Sequence, residues 1–425
     1  MTNNSHDHYG PGLLAPYRVL DLTDGRGLLC GKMLADLGAD VVQVEPPGGS
    51  PARNVGPFYH DNPGAERSLF WWAYCANKRG ITLNVATDDG ASLLRRLVAN
   101  ADFLIESADP GRMAALGLAY ADLQAINPRL VMVSITAFGQ DGPYADYQAS
   151  DIVGMALGGF MHLTGDGDRP PLRVSMPQFY QHGSAAGAAA AMIAHTHRQL
   201  TGEGQHVDVS CQQAVARTLA HAPQYWDLEQ TILRRMGAYR ESAGGTYTRI
   251  NWPCKDGYVN FQPGGGTAGS ARSVRALLEW MAEEGMGSPE LDAVNWEELG
   301  YGTARAEIME QTVADVAPFF MTHTRNELAD GALERRILLF PVATPSDILA
   351  HRQLAARDYY DRIQHDDIGE TVTYPGHFVK DMHDASRVGV RRRAPHVGEH
   401  NGEILGGELG LNHRDLNRLA ELGVI

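Results

Sequence analysis

The residues that bear most on chemistry stand in the segment VSMPQFYQHG, which begins at Val174 and leads into an alanine-rich helix. Chains often present a reactive side chain at such a place, because the first N–H groups of a helix stabilise negative charge. Phe179, Tyr180 and the glutamines on either side of them are poor nucleophiles, and no acidic residue lies between Val174 and Gly183. The segment therefore lacks the nucleophile that its position would suit.

Three glycines, Gly25, Gly27 and Gly31, follow the first predicted strand, and Glu45 stands further along the chain. This pattern is typical of a dinucleotide-binding turn, in which backbone N–H groups hold a pyrophosphate and an acidic residue roughly 20 positions on binds a ribose. Any tight strand-to-helix turn also uses glycine, and the same N–H groups could hold another anionic ligand. All three interpretations stay open at this point.

The sequence indicates no metal site. His195 and His197 are two residues apart on a predicted helix, so their side chains point to different faces and cannot share an ion. The cysteines are scattered without a Cys-x-x-Cys pair, at Cys30, Cys75, Cys211 and Cys254. Such cysteines form neither a zinc site nor a disulfide framework, and they suit the reducing cytoplasm.

The 425 residues carry a formal net charge of −15, with 44% hydrophobic and 20% charged residues. Such an acidic protein is not expected to bind nucleic acid, because neutralising phosphates requires a basic face. Basic pairs such as Lys78-Arg79 could still meet a local anionic ligand, although a solvated surface run is the simpler interpretation. No segment approaches the roughly 18 apolar residues of a membrane span, and the N-terminus lacks an apolar signal core. We expect a soluble cytoplasmic protein with no membrane partner.

Buried strands alternate with helices in the first third of the chain. Apolar runs predict five strands, at Tyr17–Thr23, Ala39–Glu45, Gly80–Val85, Ala101–Glu106 and Leu130–Thr136. Runs that are apolar throughout indicate a mainly parallel sheet with both faces covered. The sequence therefore predicts an α/β fold.

The pattern changes near Tyr225, where short predicted strands and turns precede two helices, at 270–284 and 304–322. A strand-and-helix pattern then returns in LLFPVATPSDILAHRQLAARDYY. These changes predict a large domain that contains both chain ends and a smaller domain inserted into it. The predicted limits are 1–224 for the first part of the large domain, 225–335 for the small domain and 336–425 for the rest.

Several longer segments follow one another in an order that resembles the class III CoA-transferase family, also called CaiB/BaiF. They are LFWWAYCANKRGITLNV, LVANADFLIESADPGRMAALGL, LQAINPRLVMVSITAFGQDGPY, RQLTGEGQHVDVSCQQAV, FPVATPSDILAHRQLAARDYY and APHVGEHNGEIL. The resemblance covers nearly the whole chain. It implies a Rossmann-like large domain, a smaller inserted domain, and two interlocked subunits with active sites where they meet. Family members move coenzyme A between carboxylic acids, or racemise 2-methylacyl-CoA thioesters.

In this family the nucleophile is an aspartate, which attacks the thioester to form a mixed anhydride that the CoA thiolate reopens. The resemblance places it at Phe179, or at Tyr180 if the helix start shifts by one residue, so the aspartate is absent. A tyrosine, with a reference pKa of about 10, is a poor substitute. Asp151 matches an acidic residue beside the active site and is a rival nucleophile, although in the family it more often orients its neighbours. Ser150 stands where racemases have a histidine, so we do not expect racemisation, which needs two facing acid/base groups.

The resemblance also implies contacts with the CoA thioester, which would be a substrate and not a permanently bound cofactor. It assigns a glycine loop near the active site to Gly244 and Gly245, and CoA binding to Arg26, Asn77, Lys78, Ser107 and Leu116. Lys78 suits a place near the CoA phosphates or adenine as a point charge. A lysine with only a structural role is the alternative interpretation.

Three hypotheses about function follow from these residues. In the first, the chain is the non-catalytic subunit of a heteromeric CoA-transferase whose homologous partner carries the aspartate. Family members with unequal subunits suggest benzylsuccinate as the acceptor and succinyl-CoA as the donor, as in anaerobic toluene breakdown. In the second, an active homodimer uses Asp151 or another carboxylate. In the third, the chain binds acyl-CoA or acts as a scaffold without catalysis.

Overall fold

The computed structural model describes residues 12–241, 246–264, 267–299 and 305–425. They form two compact units. The first comprises the chain up to Phe160, Val174–Gln224 and Gln353–Ile425, and the second comprises Met161–Arg173 and Tyr225–Arg352. The predicted glycine loop at Gly244 and Gly245 lies outside the described residues.

A parallel sheet forms the centre of the first unit. Its strands are β1 Arg18–Leu22, β2 Asp40–Glu45, β3 Arg79–Thr82, β4 Phe103–Glu106, β5 Val131–Thr136 and β6 Gln205–Ser210. They lie in the order β3-β2-β1-β4-β5-β6, and every neighbouring pair is parallel. This is the strand order of a doubly wound nucleotide-binding fold. The predicted α/β class with a parallel sheet is confirmed.

The sixth strand is absent from the sequence prediction. The first five strands are buried along most of their length, whereas β6 alternates between half-buried and exposed residues before its buried end at Val209 and Ser210. It pairs on one side only, with β5. A partly exposed strand needs less apolar sequence than a buried one, so an apolar run does not reveal β6, whereas the other edge strand, β3, is buried and is among the predicted strands.

The remaining described strands are all antiparallel. They are β7 Tyr239–Glu241, β8 Tyr247–Arg249, β9 Asn251–Cys254, β10 Gly257–Phe261, β11 Leu339–Pro341, β12 Tyr360–His365 and β13 Glu370–Pro375. In the second unit β7 pairs with β8, and β10 pairs with both β9 and β11. In the first unit β12 and β13 form a hairpin.

The units differ in two places from the predicted limits of 1–224, 225–335 and 336–425. Phe261 pairs with Leu339, so the strand that begins the predicted return at 336 belongs to the second unit's antiparallel sheet and not to the parallel one. The second unit also contains Met161–Arg173. The division into domains as such stays a prediction.

Helices follow most strands of the parallel sheet, and others make up much of the second unit. In chain order they are α1 Leu28–Asp36, α2 Leu69–Cys75, α3 Asp88–Val98, α4 Arg112–Ala115, α5 Tyr120–Gln124, α6 Asp151–Leu157, α7 Phe179–Thr201, α8 Cys211–Thr218, α9 His221–Glu229, α10 Ala268–Glu283, α11 Pro289–Asp292, α12 Ala306–Thr322, α13 Arg325–Arg335, α14 Pro345–Leu349, α15 Arg352–Ala356 and α16 His413–Glu421. Helix α3 shows how local sequence sets a boundary: the Thr87 side chain accepts the N–H of Gly90, and two aspartates in the first turn favour the positive helix end.

Each unit has its own apolar core. In the first unit, Leu20 and Leu104 of the sheet pack in one cluster with Leu94 of α3. In the second, Trp252 of β9 packs with Phe320 of α12. In the described part of the chain, no helix is both long and apolar enough to cross a bilayer.

Candidate active site

The start of helix α7 is held by a carboxylate from another helix. Oδ1 of Asp151, the first residue of α6, accepts the N–H groups of Gln178 at 2.6 Å and Phe179 at 2.9 Å. The first N–H groups of a helix have no partner within it, and a negative charge there is favourable. Asp151 thus anchors the helix start, which agrees with an orienting role.

Phe179, where the resemblance predicts the family's nucleophile, is a packing residue. Phe179 is fully buried. Its ring lies against Gly154 of α6 so closely that a Cβ on that glycine would come within 2.3 Å of the ring atoms. Position 179 therefore presents no group to a substrate.

Tyr180 offers no nucleophile at neutral pH either. Its hydroxyl donates to the carbonyl oxygen of Ala149 at 2.7 Å. Burial raises the pKa of Tyr180 to about 12, with a smaller contribution from nearby acidic groups. The phenolate needed for attack is therefore scarce in this environment.

The strand order reverses near the start of α7, between the adjacent strands β1 and β4. Strands β2 and β3 lie on one side of this point, and β5 and β6 lie on the other. In an open α/β sheet, ligands bind in the crevice outside the carboxyl ends of the strands at such a switch point. Two predicted residues, Arg26 after β1 and Ser107 after β4, meet there around Asp24. Ser107 Oγ accepts the N–H of Asp24 at 3.1 Å, and Arg26 Nε donates to Asp24 Oδ1 at 3.0 Å.

Arg26 also links the two strand ends directly, because its Nη1 donates to Asp109 Oδ1 at 2.8 Å. The Arg26 side chain is about 35% exposed, so part of it faces solvent. The charges of Arg26, Asp24 and Asp109 act on the Tyr180 hydroxyl, which places the group near Tyr180. The sequence analysis does not predict Asp24 and Asp109 as site residues. The pattern that could have revealed them is an acidic residue shortly after a buried strand.

A cavity of about 340 Å³ adjoins this group at the ends of β4 and β5. Glu106 lies on its wall, almost fully buried, and that burial raises its pKa. Ser134 Oγ lies 2.9 Å from His206 Nε2. Two buried polar atoms of the lining, Tyr120 Oη and Gln140 Nε2, have no hydrogen-bond partner among the described residues. The cavity thus holds donors for a polar ligand.

The structure does not bring Lys78 to this group. Lys78 is fully buried, and its Nζ lies 2.7 Å from Asp21 Oδ2, 2.9 Å from Gln43 Oε1 and 3.0 Å from the Leu28 carbonyl oxygen. These three bonds use all three protons of the ammonium group. The predicted contact with CoA stays a prediction, and this geometry favours the structural alternative.

Asn77 and Leu116 also serve the fold. The Asn77 amide donates to Asp36 and to the Gly389 carbonyl oxygen, and its oxygen accepts the N–H of Arg391. Asn77 therefore ties the C-terminal segment to the sheet. Leu116 is partly buried against the apolar cluster of the first unit. Their predicted CoA contacts stay predictions.

The glycine turn after β1 is needed for close packing. A Cβ on Gly31 would lie 2.0 Å from Asp21 Oδ2, and one on Gly27 would lie 2.5 Å from Thr23 Cγ2. Glu45, the expected ribose ligand, is buried and bound by Arg53 through two contacts, of 2.6 and 2.7 Å. The turn therefore gives no support to a dinucleotide site.

No group of three His, Cys, Asp or Glu side chains that could hold a metal ion occurs among the described residues. His195 is buried, and its Nδ1 lies 2.6 Å from an Arg198 guanidinium nitrogen. Burial and that positive charge lower the pKa of His195. This histidine belongs to the packing of α7.

The sequence model for "CoA-transferase family III" matches residues 14–401. The chain belongs to this family. It is 36% identical to the succinyl-CoA:(R)-benzylsuccinate CoA-transferase subunit BbsE of Thauera aromatica, over 96% of this chain and 97% of that protein. It is 31% identical to a succinyl-CoA–D-citramalate CoA-transferase of Chloroflexus aurantiacus, over 98% of each chain.

The fold of this family III chain also matches a solved structure. A CaiB/BaiF family protein from Brucella suis superposes with a TM-score of 0.79 at 27% identity, covering 93% of this chain and 99% of that one. The family predicted from the sequence is therefore confirmed.

Proposed function

We propose that this chain is the non-catalytic subunit of a heteromeric CoA-transferase that moves CoA between carboxylic acids, and that its partner is a homologous chain with the aspartate. The observation that carries the proposal is the start of α7. A buried phenylalanine and a hydrogen-bonded tyrosine of raised pKa stand where the resemblance predicts the nucleophile, in a chain whose residues 14–401 match the family.

The chemistry requires a carboxylate that is free to attack. Its oxygen bonds to the thioester carbonyl carbon, the CoA thiolate leaves with the C–S electron pair, and the anhydride keeps the acyl group activated. Asp151 is poorly suited to this step, because Oδ1 already accepts two backbone N–H groups at 2.6 and 2.9 Å. A second polypeptide supplies the carboxylate instead.

In this proposal the chain contributes to binding of the CoA thioester. Arg26 and Ser107, at the switch point of the sheet, and the cavity behind Asp109 receive part of the CoA thioester. A guanidinium group pairs well with phosphate oxygens, and a crevice at strand ends is the usual place for such a ligand. CoA is bound as a substrate.

A partner chain is supported by apolar side chains exposed on α6. Ile152, Val153 and Leu157 are each more than 40% exposed in the single chain. Contiguous apolar residues at the surface favour burial against another protein. We propose an interlocked dimer with the homologous subunit in the cytoplasm. The relative that is a benzylsuccinate CoA-transferase subunit suggests benzylsuccinate as the acceptor and succinyl-CoA as the donor.

The experiment expresses the chain alone and together with a homologous chain that carries the aspartate, and measures CoA transfer from succinyl-CoA to benzylsuccinate. We expect transfer only from the co-expressed pair, and co-purification of the two chains. Robust turnover by the single purified chain would contradict the proposal. Binding of CoA with no turnover in any combination would favour the scaffold role.

One observation favours an active homodimer as the second candidate. Asp24 lies at the switch point, its carboxylate acts on Tyr180, and its side chain is about 38% exposed. Hydroxylamine trapping during turnover distinguishes the candidates, because it converts an acylated aspartate to a hydroxamate. An adduct on Asp24 or Asp151 that is lost in the Asp24→Asn or Asp151→Asn variant would establish the homodimer mechanism.

A further inference from the structure

The second unit contains a larger cavity that the family assignment does not explain. Its volume is about 660 Å³, within the usual range for small-molecule sites. Its wall includes His162, Ile232, Arg234, Arg235, Tyr239 and Tyr247, all from the second unit. It therefore exists within one compact unit of this chain.

The charge of this wall is positive. Arg234 is exposed, and Arg235 is half-buried with its Nε donating to the Arg169 carbonyl oxygen at 3.0 Å. Among the described residues neither guanidinium group is paired with a carboxylate. Asp166 lies nearby against Gly237, and it balances only part of the charge of two arginines. A guanidinium group can bind carboxylate oxygens through paired hydrogen bonds, and two such side chains line this wall.

The apolar part of the cavity wall comes from the β7–β8 hairpin. Tyr239 pairs with Arg249, and Glu241 pairs with Tyr247, so the two tyrosines are diagonal neighbours on one face of the hairpin. Both rings line the cavity and are exposed, at 37% and 47%, and Ile232 beside them is 59% exposed. Exposed apolar surface of this kind is suited to a ligand with a ring or a hydrocarbon body.

We propose that this cavity binds the acid of the transfer reaction, a dicarboxylate with an apolar or aromatic substituent. The two arginines hold the carboxylates, and the tyrosines with Ile232 cover the substituent. The proposal rests on the proposed function only in naming the ligand as the acid of the transfer. It also explains how a chain without a nucleophile contributes to substrate choice.

Calorimetric titration of the full chain without CoA tests the proposal. The probes are benzylsuccinate, succinate, 4-phenylbutyrate and adenosine 3′,5′-bisphosphate, which represents the phosphate end of CoA. We expect benzylsuccinate to bind most tightly. Arg234→Gln and Arg235→Gln should each raise its Kd at least tenfold, whereas Tyr247→Ala should weaken benzylsuccinate but not succinate. Arg272→Gln, an exposed arginine on α10 of the same unit, is the control and should bind as the wild type does.

Any of three results would overturn the assignment. One is wild-type affinity for benzylsuccinate in both arginine variants, and another is no acid binding by the wild type. The third is loss of bisphosphate binding alone in the arginine variants, which would make the cavity a nucleotide site. The titration contains no acyl-CoA, so it tests acid binding separately from the proposed transfer of CoA. Unchanged circular dichroism spectra of the variants establish that each has folded.

Discussion

Replacing Lys78 by methionine separates a structural lysine from a CoA ligand. The ammonium group and the Asp21 carboxylate lie 2.7 Å apart, and both side chains have 0% exposure. Methionine is similar in length but forms none of the three hydrogen bonds, so the Asp21 charge stays buried without its counter-ion. The native protein is therefore expected to lose stability whether or not CoA is present.

The size of the loss follows from the surroundings of Asp21. Removing one partner of a buried ion pair typically costs about 3–5 kcal/mol. Asp21 Oδ1 keeps two other donors, the Thr23 N–H at 3.0 Å and the Thr23 hydroxyl at 2.6 Å. We therefore expect a loss near the lower limit, about 3 kcal/mol in the unfolding free energy. The double variant Asp21→Asn/Lys78→Met should recover a large part of it, because no charge remains buried.

Urea unfolding followed by circular dichroism measures the loss, and hydrogen exchange of peptides from β1 and β2 localises it. CoA binding is titrated on each folded variant, with Arg26→Gln as the comparison at the switch point. The structural role would be refuted if Lys78→Met kept its unfolding free energy within about 1 kcal/mol of the wild-type value and also bound CoA more weakly. That result would restore the family-based assignment of Lys78 to CoA.

Three further predictions concern packing, pH and thiol reactivity. Gly154→Ala should lower the unfolding free energy by about 1–3 kcal/mol, because its Cβ would meet the Phe179 ring, whereas the control Gly402→Ala, with no atom within 4 Å of its Cβ, should not. A thermal melt of both variants checks this, and equal melting temperatures would contradict it. Burial alone would raise the pKa of Asp40, but hydrogen bonds and charges from Arg79 and Arg18 outweigh it and hold that pKa below its usual value. This stabilisation is present above the unfolded pKa of about 3.9 and is lost as pH falls through the lower folded pKa. Asp40→Asn should therefore reduce the fall in unfolding free energy at acid pH. An unchanged fall would contradict this prediction. Burial raises the pKa of Cys75 and Cys211 to about 12, so neither thiol should react with a disulfide reagent at pH 8 until the protein is unfolded, as mass spectrometry of native and denatured samples will show.

The sequence predicts buried strands better than partly exposed ones, for a physical reason. The first five strands of the parallel sheet, including the edge strand β3, are buried along most of their length, and buried strands favour apolar residues. The edge strand β6 reads Gln-His-Val-Asp-Val-Ser, and its sequence alone does not distinguish it from a loop. Likewise, the short strand at Leu339–Pro341 is assigned to a sheet only by its partner, β10, far away along the chain.

The sequence by itself determined the family, because family membership depends on residue identities in a fixed order, and it showed that no acidic residue stands between Val174 and Gly183. Only the tertiary structure showed which neighbours the predicted binding residues contact. Asp21 and Lys78 are 57 positions apart, and Arg26 and Asp109 are 83 apart, so no local pattern reveals either pair. Burial turns the first pair into part of the core, while partial exposure at a strand end leaves the second accessible to a ligand. Whether a charged side chain supports the fold or meets a ligand depends on its solvent exposure and its neighbours, and folding sets both.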